Sequence, residues 1–480
     1  MTAAVPSSIL ILGSGVFGLG TAYSLAQNET FKNTKITLVD RSTFPSPDAA
    51  SIDSSRIIRP DYADIAYARL AVEAQERWRK GWWGEGVYHE TGLGLISNAE
   101  GKEGEETGGQ HAGRNYMKRS LANVQSLGLK TGSRDKGADI TVLNSREEVA
   151  AHTLQPDGSA SGAGGDLGYI NWRSGWADAE AGMRKVRERL ESLNRVEFQT
   201  AEVNSLLFHP NTDTNTHSVK GAILSNGSHI TADLTILATG AWTPALIDLR
   251  GISSATGQIL TYIDLTAHEQ KALSANPTFL NESNGLFIIP PQNNILKIAR
   301  HGYGYANPVK IPNPEPRPLD HHSATASSTT TTPPPPYDEV ITVSLPRTAR
   351  DDPNLWIPDE GIRACRAYLR QSHPSLGDRP FVKTRICWYT DTALGDWIVT
   401  YHPKYDGLFV ASGGSGHGYK FLPVVGDKIV DCILGNTPEE FREKWKWPQR
   451  GPEDDVWTND FRGGRKGMIL DEELRKGSRM

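Results

Sequence analysis

Ile9-Leu10-Ile11-Leu12-Gly13-Ser14-Gly15-Val16-Phe17-Gly18 is an apolar run that ends in a glycine turn. Four large apolar residues in succession suit a strand buried on both faces. Gly13, Gly15 and Gly18 have the G-x-G-x-x-G spacing, and a small-residue helix is expected from about Gly15 to Gln27. A second run, Lys35-Ile36-Thr37-Leu38-Val39, leads into Asp40, 22 positions beyond Gly18. Strand, turn, helix and strand make a β-α-β unit of the dinucleotide-binding kind. Gly13 permits the tight turn, Gly15 lets backbone approach a pyrophosphate, and Gly18 lets helix and strand pack closely. The helix N-terminus, at Val16 and Phe17, stabilises phosphate charge, and Asp40 is expected to accept hydrogen bonds from ribose hydroxyls.

Nicotinamide and flavin nucleotides share this fingerprint. A later buried-strand candidate, Asp233 to Ala238, ends in Ala238-Thr239-Gly240-Ala241-Trp242, as flavin proteins often do where the chain returns to the nucleotide. One N-terminal fingerprint with so late a partner strand favours FAD over NAD.

Composition narrows the remaining classes. At about 150 residues per domain, 480 residues suggest about three folding units. A 38% hydrophobic content excludes global disorder. A net charge of −5, from 51 basic and 56 acidic residues, argues against nucleic-acid binding. Three cysteines exclude a disulfide scaffold and leave no zinc pair, so no metal site and a reducing compartment are expected. Val5 to Ala26 is apolar but interrupted by four glycines, against a membrane span, and no signal-peptide pattern precedes it. Ser478-Arg479-Met480 is similar to peroxisomal address tags, with cytoplasmic placement the alternative.

Further elements are expected at Asp178 to Leu193, an amphipathic helix with Met183, Val186, Leu190 and Leu193 on one face. Trp397 to Tyr401 and Leu408 to Ala411 read as paired strands before a helix from about Pro423 to Leu434. Two segments read as insertions: polar Glu100 to Asn115, and Ile311 to Glu339 with its threonine and proline runs, expected as a mobile loop without chemistry.

Three further stretches carry a family resemblance: Ser54-Ser55-Arg56-Ile57-Ile58-Arg59, Arg385-Ile386-Cys387-Trp388-Tyr389-Thr390, and Gly413-Gly414-Ser415-Gly416-His417-Gly418-Tyr419-Lys420-Phe421. With the dinucleotide motif they resemble the FAD-dependent amine oxidases related to monomeric sarcosine oxidase. That group includes L-pipecolate and L-saccharopine oxidases and the fructosyl-amino-acid oxidases (amadoriases). The resemblance implies an α/β fold in which a Rossmann-type FAD domain (1–88, 166–247 and 385–445) is interleaved with a mixed-sheet substrate domain (89–165 and 248–384). The loop at 311–339 and a tail at 446–480 lie outside that pattern. It also implies a monomer that oxidises a secondary amine to an imine by hydride transfer to flavin N5 and reduces oxygen to hydrogen peroxide. A peroxide former is served by placement beside catalase.

Roles carried over by the resemblance fall on particular residues. Cys387 matches the cysteine joined through sulfur to the flavin 8α carbon, while Cys365 and Cys432 read as core. Arg59 and Lys420 match the pair that holds a substrate carboxylate, and Tyr62 a pocket wall. Lys297, in an apolar strand-like run, matches the lysine that activates oxygen; His301, four residues on, matches an active-site histidine. Arg56 matches a basic residue near the flavin ring, and His417 adds to the same electrostatics. Arg41, Ser55, Val203, Gly240, Trp242, Gly414, Gly416, Gly418 and Lys420 complete the expected FAD contacts.

Amadoriases carry an acidic residue where Gly285-Leu286-Phe287-Ile288-Ile289-Pro290 places Ile289. A pocket of Leu286, Ile288 and Ile289 is therefore expected, suited to an apolar or aromatic N-substituent. An amadoriase, a biosynthetic N-methyl amino acid oxidase, an FAD dehydrogenase with another electron acceptor and a nicotinamide dehydrogenase remain the alternatives.

Overall fold

The computed structural model describes residues 5–80, 83–99, 108–159, 164–211, 216–319, 337–456 and 467–477. Strand Ser8–Leu12 lies inside a six-stranded sheet, paired in parallel with Lys35–Asp40 on one side and Leu234–Leu237 on the other. Val196–Thr200 and Leu408–Ser412 extend it in parallel, and Ile398–Tyr401 closes one edge antiparallel to Leu408–Ser412. Ile9 to Leu12 are all buried, as an interior parallel strand covered on both faces requires.

Helix Val16–Gln27 leaves the glycine turn and packs against helices Val425–Ile433 and Ala179–Leu193. In the last of these, Asp178 caps the N-terminus by accepting from Ala181 N–H at 2.9 Å, and Met183, Val186 and Leu190 are buried. Leu193 does not join them. It is 39% exposed, because the helix ends there and Asn194 turns into the left-handed region at φ 50°.

A ten-stranded mixed sheet forms the second layer system, built around the long strand Ser253–Asp264. Lys383–Thr392 and Ile295–Arg300 flank that strand antiparallel, and Leu286–Gln292 follows Ile295–Arg300. Residues of the two sheets alternate along the chain, giving the mixed α/β fold. The boundaries expected at 166 and 385 are displaced, since backbone pairing decides membership. Leu167–Asn171 pairs with Leu93–Ser97, and Lys383–Thr392 with Ser253–Asp264, so both belong to the larger sheet. Met468–Ile469, from the expected tail, adds an edge strand to it.

Both proposed insertions are partly structured. The second half of Glu100–Asn115 runs into helix Gly108–Ser126. The ends of the Ile311–Glu339 segment are tied into paired strands Pro308–Pro312 and Val340–Ser344, with Tyr337 donating to the Glu315 carbonyl at 2.8 Å. Its threonine and proline runs, and Ser478-Arg479-Met480, lie outside the described residues.

Candidate active site

A cavity of about 320 Å³ opens at the C-terminal end of strand Ser8–Leu12 and reaches from Trp242 to Tyr389. Gly13 turns the chain at φ 100°, and a Cβ on Gly18 would lie 1.9 Å from the Gly13 carbonyl oxygen, so larger residues are excluded there. Gly15 is different. Only Ser51 Oγ lies near the space its Cβ would fill, so its backbone is bare toward the cavity. Gly15 is also the N-cap of the following helix, with no side-chain cap and no acidic residue in the first turn. Val16 N–H donates to Ser51 Oγ at 2.9 Å. The cavity thus meets a helix N-terminus without an acidic cap, where the N–H groups beyond Val16 and the helix dipole favour a pyrophosphate.

Asp40, Arg41, Val203, Gly240 and Trp242 line the far end, with Val16 and Phe17 near the turn. Asp40 organises the turn itself: one carboxylate oxygen accepts from Ser14 N–H at 2.8 Å and Ser14 Oγ at 2.7 Å. Arg41 stacks 4.2 Å over the Trp242 ring and pairs with Asp48 at 2.8 Å. These residues fit the nucleotide half of FAD. At the other end Arg56, Trp388, Tyr389, Thr390, Gly414, Gly416 and Gly418 line the wall. Gly416, at φ 73°, lies under the rings of Tyr389 and His301, where any side chain would collide with both. His301 Nδ1 lies 3.3 Å from Tyr389 OH, so His301 stands behind the cavity wall.

Behind Arg56 of this wall, which contacts Asp53 and Cys387, lies one face of the ten-stranded sheet. Alternation places Tyr262, Lys297 and Ile289 side by side on neighbouring strands, with Cys387 on the same face. Leu286 and Ile288 point the other way, into the core around Ile259 and Tyr368. The expected apolar wall is therefore Ile289 with Phe287, because residues of one strand reach the same face only at every second position.

Cys387 is buried, with Arg56 Nη2 3.5 Å from its sulfur. Cys365 and Cys432 are buried core residues on helices, and burial pushes both thiols up to about 11. Lys297 is 2% exposed. Its ammonium donates to the Ser55 carbonyl and, at 3.1 Å, to Asp53 Oδ2. Burial, reinforced by Arg56, pulls Lys297 down to about 8 in spite of Asp53. Asp53, absent from the expected site, also pairs with Arg56 and accepts from Tyr262 OH at 2.8 Å. Burial works to raise its carboxyl, yet Lys297, Arg56 and Arg385 hold it well below the usual carboxylate range. Its place three residues before Arg56 was the one available sequence signal.

A second cluster forms around Tyr62. Lys420 Nζ donates to Tyr62 OH at 2.9 Å and to the His417 carbonyl at 3.0 Å. His417 Nε2 lies 2.8 Å from the Gly395 carbonyl, which can only accept, so Nε2 carries a proton, and Nδ1 is hydrogen-bonded to Tyr62 OH at 3.2 Å. Arg59 also lies over the Tyr62 ring, 5.3 Å from its centroid, and donates to the Asp61 carbonyl and to Tyr116 OH at 3.3 Å. Tyr116 comes from helix Gly108–Ser126, which no local pattern would bring here. Burial, then Arg59, holds Lys420 well below the ordinary lysine value. Among the described residues neither cation is in an ion pair with a carboxylate at salt-bridge distance, although Glu282 adds to the field at Arg59. Arg59, Lys420, Tyr62, His417, Lys297 and Cys387 do not line the nucleotide cavity itself.

A glycine-turn dinucleotide cavity, with Arg56 on its wall paired to Asp53 beside the buried Lys297, fits a dinucleotide-dependent redox protein. The chain belongs to the FAD dependent oxidoreductase (DAO) family, whose model matches residues 8–432. It is 32% identical over 489 residues to the amino acid oxidase imqH of Aspergillus flavus, a match covering 92% of this chain and 98% of that one. It is 28% identical over 448 residues to the L-saccharopine oxidase of Schizosaccharomyces pombe, covering 92% and 93%. Among solved structures it is similar to Amadoriase II of Aspergillus fumigatus, with TM-score 0.73 and 26% identity over 97% of this chain and 96% of that one. The fructosyl peptide oxidase of E. terrenum, with TM-score 0.79 and 22% identity over 98% of each chain, has the same fold. No helix of the described residues is long and apolar enough to cross a membrane.

Proposed function

We propose that the protein is a monomeric FAD-dependent oxidase of N-substituted L-amino acids, of the sarcosine, pipecolate and saccharopine type. The observation that carries this reading is the buried pair Arg59 and Lys420 around Tyr62, with no carboxylate at salt-bridge distance from either among the described residues, Glu282 and Asp61 acting on Arg59 only from further off. Two buried like charges favour an incoming anion, and a substrate carboxylate between them would satisfy both. Bound FAD would take two electrons from the carbon next to the amine and pass them to oxygen, leaving an imine and hydrogen peroxide. Gly13, Gly15 and the helix N-terminus hold its pyrophosphate; Asp40, Arg41, Val203, Gly240 and Trp242 hold the nucleotide end. Arg56, Gly414, Gly416 and Gly418 face its ring end. Arg59 and Lys420 fix the carboxylate, which is catalysis by positioning. Lys297 supplies the cation for oxygen, His301 and His417 set the surrounding hydrogen bonds, and Phe287 with Ile289 forms an apolar wall for the N-substituent.

A peroxide-coupled assay across sarcosine, pipecolate, saccharopine, N-methylated aromatic amino acids and fructosyl-valine tests the reading. Turnover should favour an N-substituted amino acid without a sugar chain, because Ile289 offers a polyol no polar partner. Strong preference for fructosyl-valine would overturn it in favour of an amadoriase, the reading that the likeness to Amadoriase II supports.

In this reading Cys387, in contact with Arg56 of the cavity wall, is the thiol that forms a thioether to the flavin 8α carbon. Acid-precipitated wild-type protein should remain yellow, and Cys387→Ala should release the colour to the supernatant. A wild-type precipitate that turns white would exclude the bond.

A further inference from the structure

We propose that Asp53 is the positioning residue of the oxygen-facing cation, holding Lys297 and Arg56 in one buried ion cluster beside Cys387. This deepens the oxidase reading, which assigns Lys297 to oxygen. The Asp53 side chain is 1% exposed and sits between the two cations, with Lys297 Nζ at 3.1 Å and Arg56 in direct contact. Tyr262 OH, at 2.8 Å, and Ser54 N–H, at 2.7 Å, fix the direction of its carboxylate. Asp53 and Arg56 come from the 50–58 segment of the dinucleotide side, Tyr262 and Lys297 from two strands of the larger sheet. The carboxylate therefore clamps the sheet face to the loop that carries Arg56.

Charge state follows from the same geometry. Facing Lys297 are Asp53 and Arg56 from the 50–58 segment, Tyr262 from the neighbouring strand and Cys387 from strand Lys383–Thr392, while Arg385 of that strand acts on Asp53. Asp53 is the one carboxylate among these groups. Without it a fully buried ammonium would face the Arg56 guanidinium uncompensated and should give up its proton more readily.

The test is carbon NMR of flavin-loaded protein labelled at lysine Cε, with the Lys297 signal assigned by its loss in Lys297→Met. In the wild type the signal should titrate near pH 8. In Asp53→Asn its midpoint should fall by about one pH unit or more, and the pH profile of reoxidation by oxygen should fall with it. An unmoved midpoint in Asp53→Asn overturns the proposal. Should Asp53→Asn not fold, Asp53→Asn/Lys297→Met carries the test. Removing the ammonium with its partner should restore a folded, flavin-binding protein. A double variant that stays unfolded while Lys297→Met folds would equally refute the clamp. Because lysine titration needs neither turnover nor oxygen, a shifted signal in a protein inactive on every substrate sinks only the oxidase reading. An active oxidase with an unshifted signal sinks only this one.

Discussion

Replacing Lys297 by methionine should slow reoxidation of the reduced enzyme by oxygen by about 10²–10³-fold, the cost of removing one preorganised charge-stabilising donor. Reduction by substrate should change far less, because Lys297 is tied to Asp53 and Ser55 rather than to the Arg59–Lys420 cluster. Methionine nearly matches lysine in length and suits a side chain that is 2% exposed beside Phe287 and Ile289, so packing is kept while charge is lost. A fixed cation in a site poor in water lowers the energy of the negative charge that builds on oxygen as it accepts an electron. The sign of the pH dependence follows. Lys297 is held at about 8, so the ammonium is present below that pH and is lost above it. Wild-type reoxidation should fall as pH rises through about 8, and Lys297→Met should lose that step. Stopped-flow measurement of both half-reactions checks this, and equal slowing of the two would exclude the assignment to oxygen.

Lys420→Met should lower kcat/KM for a carboxylate substrate by about 2–5 kcal/mol, roughly 30- to 5000-fold at 25 °C. The effect should appear mainly in KM, with a further loss in kcat if the carboxylate aligns the reacting carbon. Substrate amides separate this from general damage. Wild-type enzyme should lose most of its activity on the amide, whereas the variant should hardly distinguish amide from acid. Equal discrimination by both proteins would place the carboxylate elsewhere. The substrate-free variant should also melt no lower than wild type. Burial and Arg59 both oppose the Lys420 charge, and methionine removes that conflict.

These two clusters differ in how much of them the sequence exposed. Lys297, Arg59 and Lys420 were reachable only through matched motifs, because nothing local marks a lysine as buried. Asp53 was missed although it stands three residues from Arg56, since an aspartate in a polar loop ordinarily faces water. Its meaning comes from Lys297 and Tyr262, 244 and 209 residues away. The wall residues show the same limit. Leu286, Ile288 and Ile289 look alike in the chain, but only strand parity, read from register with Lys297, turns Ile289 toward the site and the other two away.

Sequence alone determined the β-α-β unit and its glycine turn, because a buried parallel strand, a tight turn and a helix start are written in neighbouring residues. The preference for a flavin nucleotide came from the distant Ala238-Thr239-Gly240 stretch and the matched motifs. Tertiary structure alone decided which carboxylate pairs with Lys297, which face of the sheet carries Lys297 with Cys387, and that Tyr62 and Lys420, 358 residues apart, share a hydrogen bond. Those are properties of burial and register. A charge is uncompensated, or a side chain inward, only relative to groups that the folded chain brings from far along its length.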